Sequence, residues 1–313
     1  MQLLIIMGVV VVMWCGSFIE PVMMPEPGTY APLYGLLYDW MGAKPLVATL
    51  VGLMIMLLEA MLLNEMLYER KMVAQNTLMP ALIYVILMSG VKAGQTVTPI
   101  LMVNLMMLLA LRNIMKTSNV SMTLNMTFGT ATYIALATMF YMPSALMIVP
   151  LLLMFPVYQL YSWRDWVVMI LGLLAPYIPL TAWFMMKNEL WGAYAGMWVD
   201  LLDVHLAFGG NVLNWICSGF MMLYIIVMVV VGLELSQNHP TAFQKNATAI
   251  ALPMLGGALM LAYDTITPLN TQLFASGVAF MATIYYASVK RKIWMYDASI
   301  IMLIVVAMVN IYI

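Results

Sequence analysis

An all-α bundle embedded in a lipid bilayer is the fold class this sequence predicts, and three observations carry it. The 313 residues are 65% hydrophobic and only 8% charged, with a mean hydropathy of +0.98. A soluble domain carries about 25% charged residues, so lipid must be the solvent for most of this chain. Apolar runs of about 15 to 23 residues recur along its length, the range that crosses a bilayer as helix. Segments of strictly alternating hydropathy do not occur, which argues against a closed barrel.

The first element, over 2–19, is apolar but lacks a leading basic stretch and an A-x-A-like cleavage site. It reads as a retained helix, not a cleaved signal. The stretch FIEPVMMPEPGTYAPLYGLLYDW, Phe18 to Trp40, then interrupts the apolar pattern. Pro21, Pro25, Pro27 and Gly28 forbid a continuous helix from Glu20 to Gly28. From Pro32 onward, Leu33, Leu36, Leu37 and Trp40 share one helical face. PLYGLLYDW therefore predicts a short amphipathic helix along the interface, with Tyr34, Tyr38 and Trp40 at headgroup depth. Ten further spans are expected over 45–67, 77–91, 98–113, 127–142, 144–161, 166–186, 211–233, 246–263, 269–288 and 294–313, about eleven in all. YSWRDW, Tyr161 to Trp166, predicts a tight turn with an Arg164–Asp165 charge pair. Pro176 and Pro179 should kink one helix, and Pro253 with Gly256 and Gly257 should kink or break another.

Charge sets the expected orientation. With a cytoplasmic N-terminus, inner loops receive nine basic residues, Arg70, Lys71, Arg112, Lys116, Arg164, Lys245, Lys290, Arg291 and Lys292, while outer loops receive three, Lys44, Lys92 and Lys187. That asymmetry follows the positive-inside rule and puts the C-terminus outside, in the periplasm. Glu20, Glu26, Asp39, Glu189, Asp200, Asp203 and Asp264 fall on or near the outer side. The outer loops are 20–44 and 187–210, and no polar segment is long enough to fold alone, so residues 1–313 form a single integral membrane domain. The net charge of -1 gives no reason to expect nucleic acid as a partner. Cys15 and Cys217 both lie in apolar runs and suggest no disulfide framework.

Candidate functional residues fall into two groups. On the outer side, Trp191, Tyr194 and Trp198 form an aromatic belt, and Asp200 and Asp203 share a helical face at i, i+3. A metal site joining them to His205 requires a helix break before Gly209 and Gly210. The two acids with Glu20 or Glu26 would suit a hard cation, and a solvated outer rim is the plainer reading. Within the membrane, Glu59 is the clearest acid inside a span, and an ionisable group there marks a functional candidate. Asn104 and Asn64 are its expected partners, whether Glu59 couples to an ion or stays neutral and hydrogen-bonded. His205 and His239 lie outside the spans, so paired haem ligation is excluded. No Lys sits mid-span, and no phosphate-binding loop, nucleophile elbow, zinc-protease or potassium-filter motif occurs. Cofactor and metal are unknown from sequence. The 36 methionines read as apolar filler.

Two stretches, LLNEMLYERKMVAQNTLMPALIYVILMS with TPILMVNLMMLLALRNIMK, and YSWRDWVVMILGLLAPYIPLTAWFM, resemble a family of multi-pass inner-membrane proteins of Bacteroidetes that has no established activity. The resemblance covers about a third of the chain and implies a bacterial inner-membrane location. The beta-carotene monooxygenase label carried by some members conflicts with these residues, because such enzymes hold iron with four histidines and this chain has two. Glu20 followed by PLYGLLY is also similar to membrane glycosyltransferases that use polyprenyl-phosphate sugars, which place an acid after the first span and a P-L-Y helix along the outer face. Their second acidic loop would fall at Val91–Val97, which holds no acid, and their large outer C-terminal domain has no counterpart here.

Three function classes follow. The first is a non-catalytic subunit or scaffold of an envelope complex, packed against other membrane-protein subunits in the lipid bilayer. The second is a binder of, or enzyme acting on, polyprenyl-linked sugars, with Glu20 and Glu26 as catalytic acids and Tyr34, Tyr38, Trp40, Trp198, Asp200 and Asp203 contacting substrate. The third is an ion-coupled carrier using Glu59.

Overall fold

A computed structural model describes residues 2–27, 31–73, 77–116, 123–160, 162–202, 212–261, 268–288 and 293–312. The fold is all-helical, 85% helix with no strand among the described residues, which agrees with the exclusion of a barrel. The helices are α1 (Gln2–Ile19), α2 (Pro32–Met41), α3 (Pro45–Glu69), α4 (Met79–Ser89), α5 (Pro99–Met115), α6 (Thr123–Phe140) and α7 (Ile148–Val157). They continue as α8 (Trp163–Leu174), α9 (Tyr177–Met186), α10 (Leu190–Leu202), α11 (Val212–Ser236), α12 (Thr241–Met260), α13 (Ala275–Ser288) and α14 (Ile293–Tyr312). Short 3-10 turns at Met142–Met147 and Pro268–Phe274 lead into α7 and α13.

Three helical stretches are long and apolar enough to cross a membrane: Pro45–Glu69, Trp163–Met186 and Trp215–Ser236. Shorter apolar helices surround them. The first stretch starts where the sequence places it, because Pro45 fixes φ at a helix start and needs no amide donor there. The second consists of α8 and α9, which meet at the expected proline, Pro176. At its start, Ser162 accepts from the Arg164 amide as N-cap. The predicted Arg164–Asp165 charge pair is not found among the described residues; Arg164 lies over the Trp163 ring at 5.9 Å instead. Helix α12 runs unbroken through Pro253, so no break occurs there.

The largest departure from the expected spans is α4. The apolar run over 77–91 yields an 11-residue helix, about 16 Å long at 1.5 Å per residue, half the thickness of a bilayer core. Every residue from Pro80 to Ser89 except Leu82 is buried, and α13 is equally buried from Ala275 to Ile284. These two helices pack against each other at the heart of the bundle. Helices α1, α3, α5, α11, α12 and α14 pack around them. The outer helices turn bulky apolar side chains outward, among them Leu4, Met54, Ile170, Leu223 and Ile301. Such faces suit lipid.

Candidate functional site

The two outer loops come together, but on an apolar contact. Leu33 of α2 and Tyr194 of α10 pack against one small cluster of Met139, Leu180 and Met197. The carboxylates point elsewhere. Glu20 is largely exposed and pairs with Lys92 across 3.4 Å, and Glu26 is exposed on the non-helical segment. The Tyr34 side chain is wholly buried, and its hydroxyl donates to the carbonyls of Pro25 and Val97 at 3.0 and 3.1 Å. Tyr34 thereby ties the proline-rich segment to the segment after α4 and offers no free face to a ligand. Burial pushes its phenol above the ordinary range, with a smaller push from Tyr38. Tyr38 is half-buried beside it, whereas Trp40 and Trp198 stand out at 68% and 61% exposure. Helix α10 carries Asp200 on its last turn. Asp203, His205, Gly209, Gly210, Asp264, Lys290, Arg291 and Lys292 lie outside the described residues, as does the predicted D-x-x-D-x-H geometry. Among the described residues no cluster of His, Cys, Asp and Glu has metal-binding proximity.

A second group of polar side chains lies inside the bundle, between α1, α3 and α4. Glu59 on α3 is fully buried, and one carboxylate oxygen accepts from the Tyr84 hydroxyl of α4 at 2.8 Å. Its other oxygen has no partner, and no ion pair reaches it among the described residues. The expected partners do otherwise. Asn104 donates to the Gln272 carbonyl at 3.0 Å, and the Asn64 side-chain oxygen is unpartnered. Tyr84 takes their place because α4, the next helix in sequence, packs directly along α3. One turn before Glu59 on α3, Met56 accepts from the Ser89 hydroxyl at 3.3 Å, and that hydroxyl accepts from the Trp14 indole at 2.8 Å.

At this level α4 ends inside protein. The last carbonyls of a helix have no partner within it, and at membrane depth such groups must be satisfied by protein. Three side-chain amides do so. Gln272 donates to the Met88 carbonyl at 2.6 Å, Gln95 to the Ser89 carbonyl at 2.9 Å, and Asn310 to the Gly90 carbonyl at 2.8 Å. Gln95 also donates to the Met13 carbonyl at 3.1 Å and accepts from the Ser17 hydroxyl, which locks α1 to the same place. Close approach needs glycine twice: a Cβ on Gly94 would lie 2.0 Å from the Gln272 amide nitrogen, and one on Gly52 would lie 2.8 Å from the Thr96 backbone. Sequence reasoning passed over Gln95, Gln272 and Asn310, though Asn310 is a lone amide near the end of an apolar run. Their shared target, one helix end, is invisible without the fold.

Toward the opposite end of α3, a cavity of about 420 Å³ is lined by Ala60, Asn64, Glu65 and Tyr68 together with residues of α1 and α4. Glu65 and Glu69 both pair with Arg112, at 3.1 and 3.2 Å. The polar groups therefore form a column: Glu20–Lys92 at one rim, then the α4 cap, then Glu59–Tyr84, then Asn64 and the Arg112 pairs at the other. No family model matches the chain, no curated protein matches it, and no solved structure matches its fold.

Proposed function

We propose that the chain is an ion-coupled carrier of the bacterial inner membrane, a multi-pass protein of about eleven spans with a cytoplasmic N-terminus and a periplasmic C-terminus, in which Glu59 is the coupling acid. One observation carries the reading: a wholly buried carboxyl with a single hydroxyl partner, a second oxygen unpartnered and no counter-ion. An unpaired carboxylate in a low-dielectric interior costs several kcal/mol. Such a group resolves the cost by taking a proton or a cation, and a carrier exploits that exchange. Tyr84 holds the carboxyl in register, and the cavity lined by Ala60 and Asn64 lies within a turn of it. The orientation draws support from the ion pairs. Lys92 and Glu20, both expected outside, meet each other, while Arg112, expected inside, meets Glu65 and Glu69 at the end of α3.

The test uses purified protein in proteoliposomes that enclose a pH-sensitive dye. A pool of sugars, amino acids and organic amines should trigger proton movement in the wild type. Glu59→Gln should abolish it with melting temperature nearly unchanged, since the amide still accepts from Tyr84. Solute uptake that is equally ion-dependent in Glu59→Gln sinks the assignment. A wild type inert to every solute favours the subunit reading, in which co-purifying membrane partners should appear.

A second reading rests on the meeting of α2 and α10, an outer-face site for a polyprenyl-linked sugar beside the exposed rings of Trp40 and Trp198, with Glu20 and Glu26 as its catalytic acids. In that case Glu20→Gln weakens binding of such a lipid without lowering thermal stability.

A further inference from the structure

We propose that the buried end of α4 is a binding site for a monovalent alkali cation. Three side-chain oxygens in this region have no donor: Gln272 Oε1, Asn310 Oδ1 and Thr96 Oγ1. Their residues are 0%, 4% and 0% exposed, so no bulk solvent reaches them. Two of the three belong to the amides whose nitrogens clamp the Met88 and Gly90 carbonyls. Each amide thus spends its donors on the helix end and leaves its acceptor bare. Thr96 lies on the same 88–98 segment, one residue beyond Gln95, the third amide of the cap. Its backbone is pressed against Gly52 of α3.

A buried acceptor left empty is destabilising, and two on the amides that clamp one helix end, with a third on the segment that follows it, need a common explanation. The C-terminal end of a helix carries partial negative charge. Bare amide and hydroxyl oxygens add to it, and the cation on the adjoining segment, Lys92, is paired with Glu20 at 3.4 Å. Hard oxygen donors select alkali and alkaline-earth ions over soft metals. The set contains no carboxylate, whereas divalent-ion sites are built around carboxylates or phosphates, so a monovalent ion fits the charge. Broken helices that meet a cation at an unwound segment are the membrane form of such a site. Here α4, the 90–98 segment and the 3-10 turn Pro268–Phe274 provide that break. The inference goes beyond the Glu59 reading, because it requires cation binding alone and no transport.

Thr96→Val is the decisive variant. It deletes one oxygen that holds nothing in the fold, keeps the β-branched shape, and leaves every cap donor in place. Purified protein in detergent is melted in sodium chloride against choline chloride at equal ionic strength. Sodium should raise the melting temperature in a saturable manner, and Thr96→Val should raise the half-saturating concentration about tenfold while melting normally in choline. A similar response to potassium supports the site equally. No saturable shift over choline, or a shift that Thr96→Val leaves intact, overturns the proposal. Sodium binding that survives in Glu59→Gln, alongside lost solute-triggered proton movement, separates this site from the carrier reading; either can fall while the other stands.

Discussion

The outer loops and the buried column use the same residue types to opposite ends. Glu20 pairs with Lys92 at 3.4 Å with most of its side chain in water, where such a pair contributes about 0–1 kcal/mol. Glu59 makes one 2.8 Å hydrogen bond with none of its surface exposed, where removing the partner leaves the full desolvation penalty. The aromatic residues divide likewise: Trp40 stands in the open while Trp14 bonds Ser89 in the interior. Composition alone made the outer loops the richer candidate, since acids and rings cluster there. Burial reverses that ranking, because a polar group works hardest where water cannot compete with it.

The comparison is most exposed to failure at Gln95. Gln95→Leu strips donors from the Met13 and Ser89 carbonyls and the acceptor from Ser17. It should lower stability by about 3 kcal/mol or more, read as a loss of melting temperature in detergent. A near-wild-type melting curve would mean that the α4 end is satisfied some other way, and the contrast between the regions would collapse.

A smaller effect is expected at Tyr34, the outer-loop residue that behaves like the interior. Tyr34→Phe removes a hydroxyl whose one proton is shared between two backbone carbonyls and should cost about 1–2 kcal/mol. Its folded-state phenol titrates above the ordinary 10.0. The protonated hydroxyl therefore contributes fully below about pH 10, and that contribution is lost as pH rises through the folded value. Melting temperature followed from about pH 9 to 11 should fall less steeply in Tyr34→Phe than in the wild type. Parallel curves would show that the hydroxyl is hydrated after all.

Least of all is expected at the rim. Glu20→Gln should change stability by less than about 1 kcal/mol and lose even that at high salt. Its value lies in sharpening the contrast: an unaltered melting curve joined to weakened binding of a lipid-linked sugar would restore the outer loops as a functional site.

Much of the architecture was legible in residues. Pro32, Pro45 and Pro99 each start a helix, and Pro21 to Pro27 keep Glu20 to Pro27 out of one. These are local effects of a ring that fixes φ and removes a donor, so one sequence suffices to see them. Glu59 was legible for a similar reason: an acid in a 25-residue apolar helix has no inexpensive place to be. Its partner was not, since Tyr84 is chosen by how α4 lies along α3, and Asn64 and Asn104 were equally reachable by spacing.

By itself, then, the sequence determined the solvent, the helical class, the proline-set boundaries and one buried acid, because each follows from local composition and backbone stereochemistry. Only the tertiary structure decided that α4 is half a span, that Gln95, Gln272 and Asn310 from three separate segments cap it, and that Tyr34 belongs to the packing. The physical reason is range. A helix end in a low-dielectric interior must find its donors wherever the fold brings them, and those bonds join residues up to 220 positions apart, a separation across which sequence spacing carries no geometry.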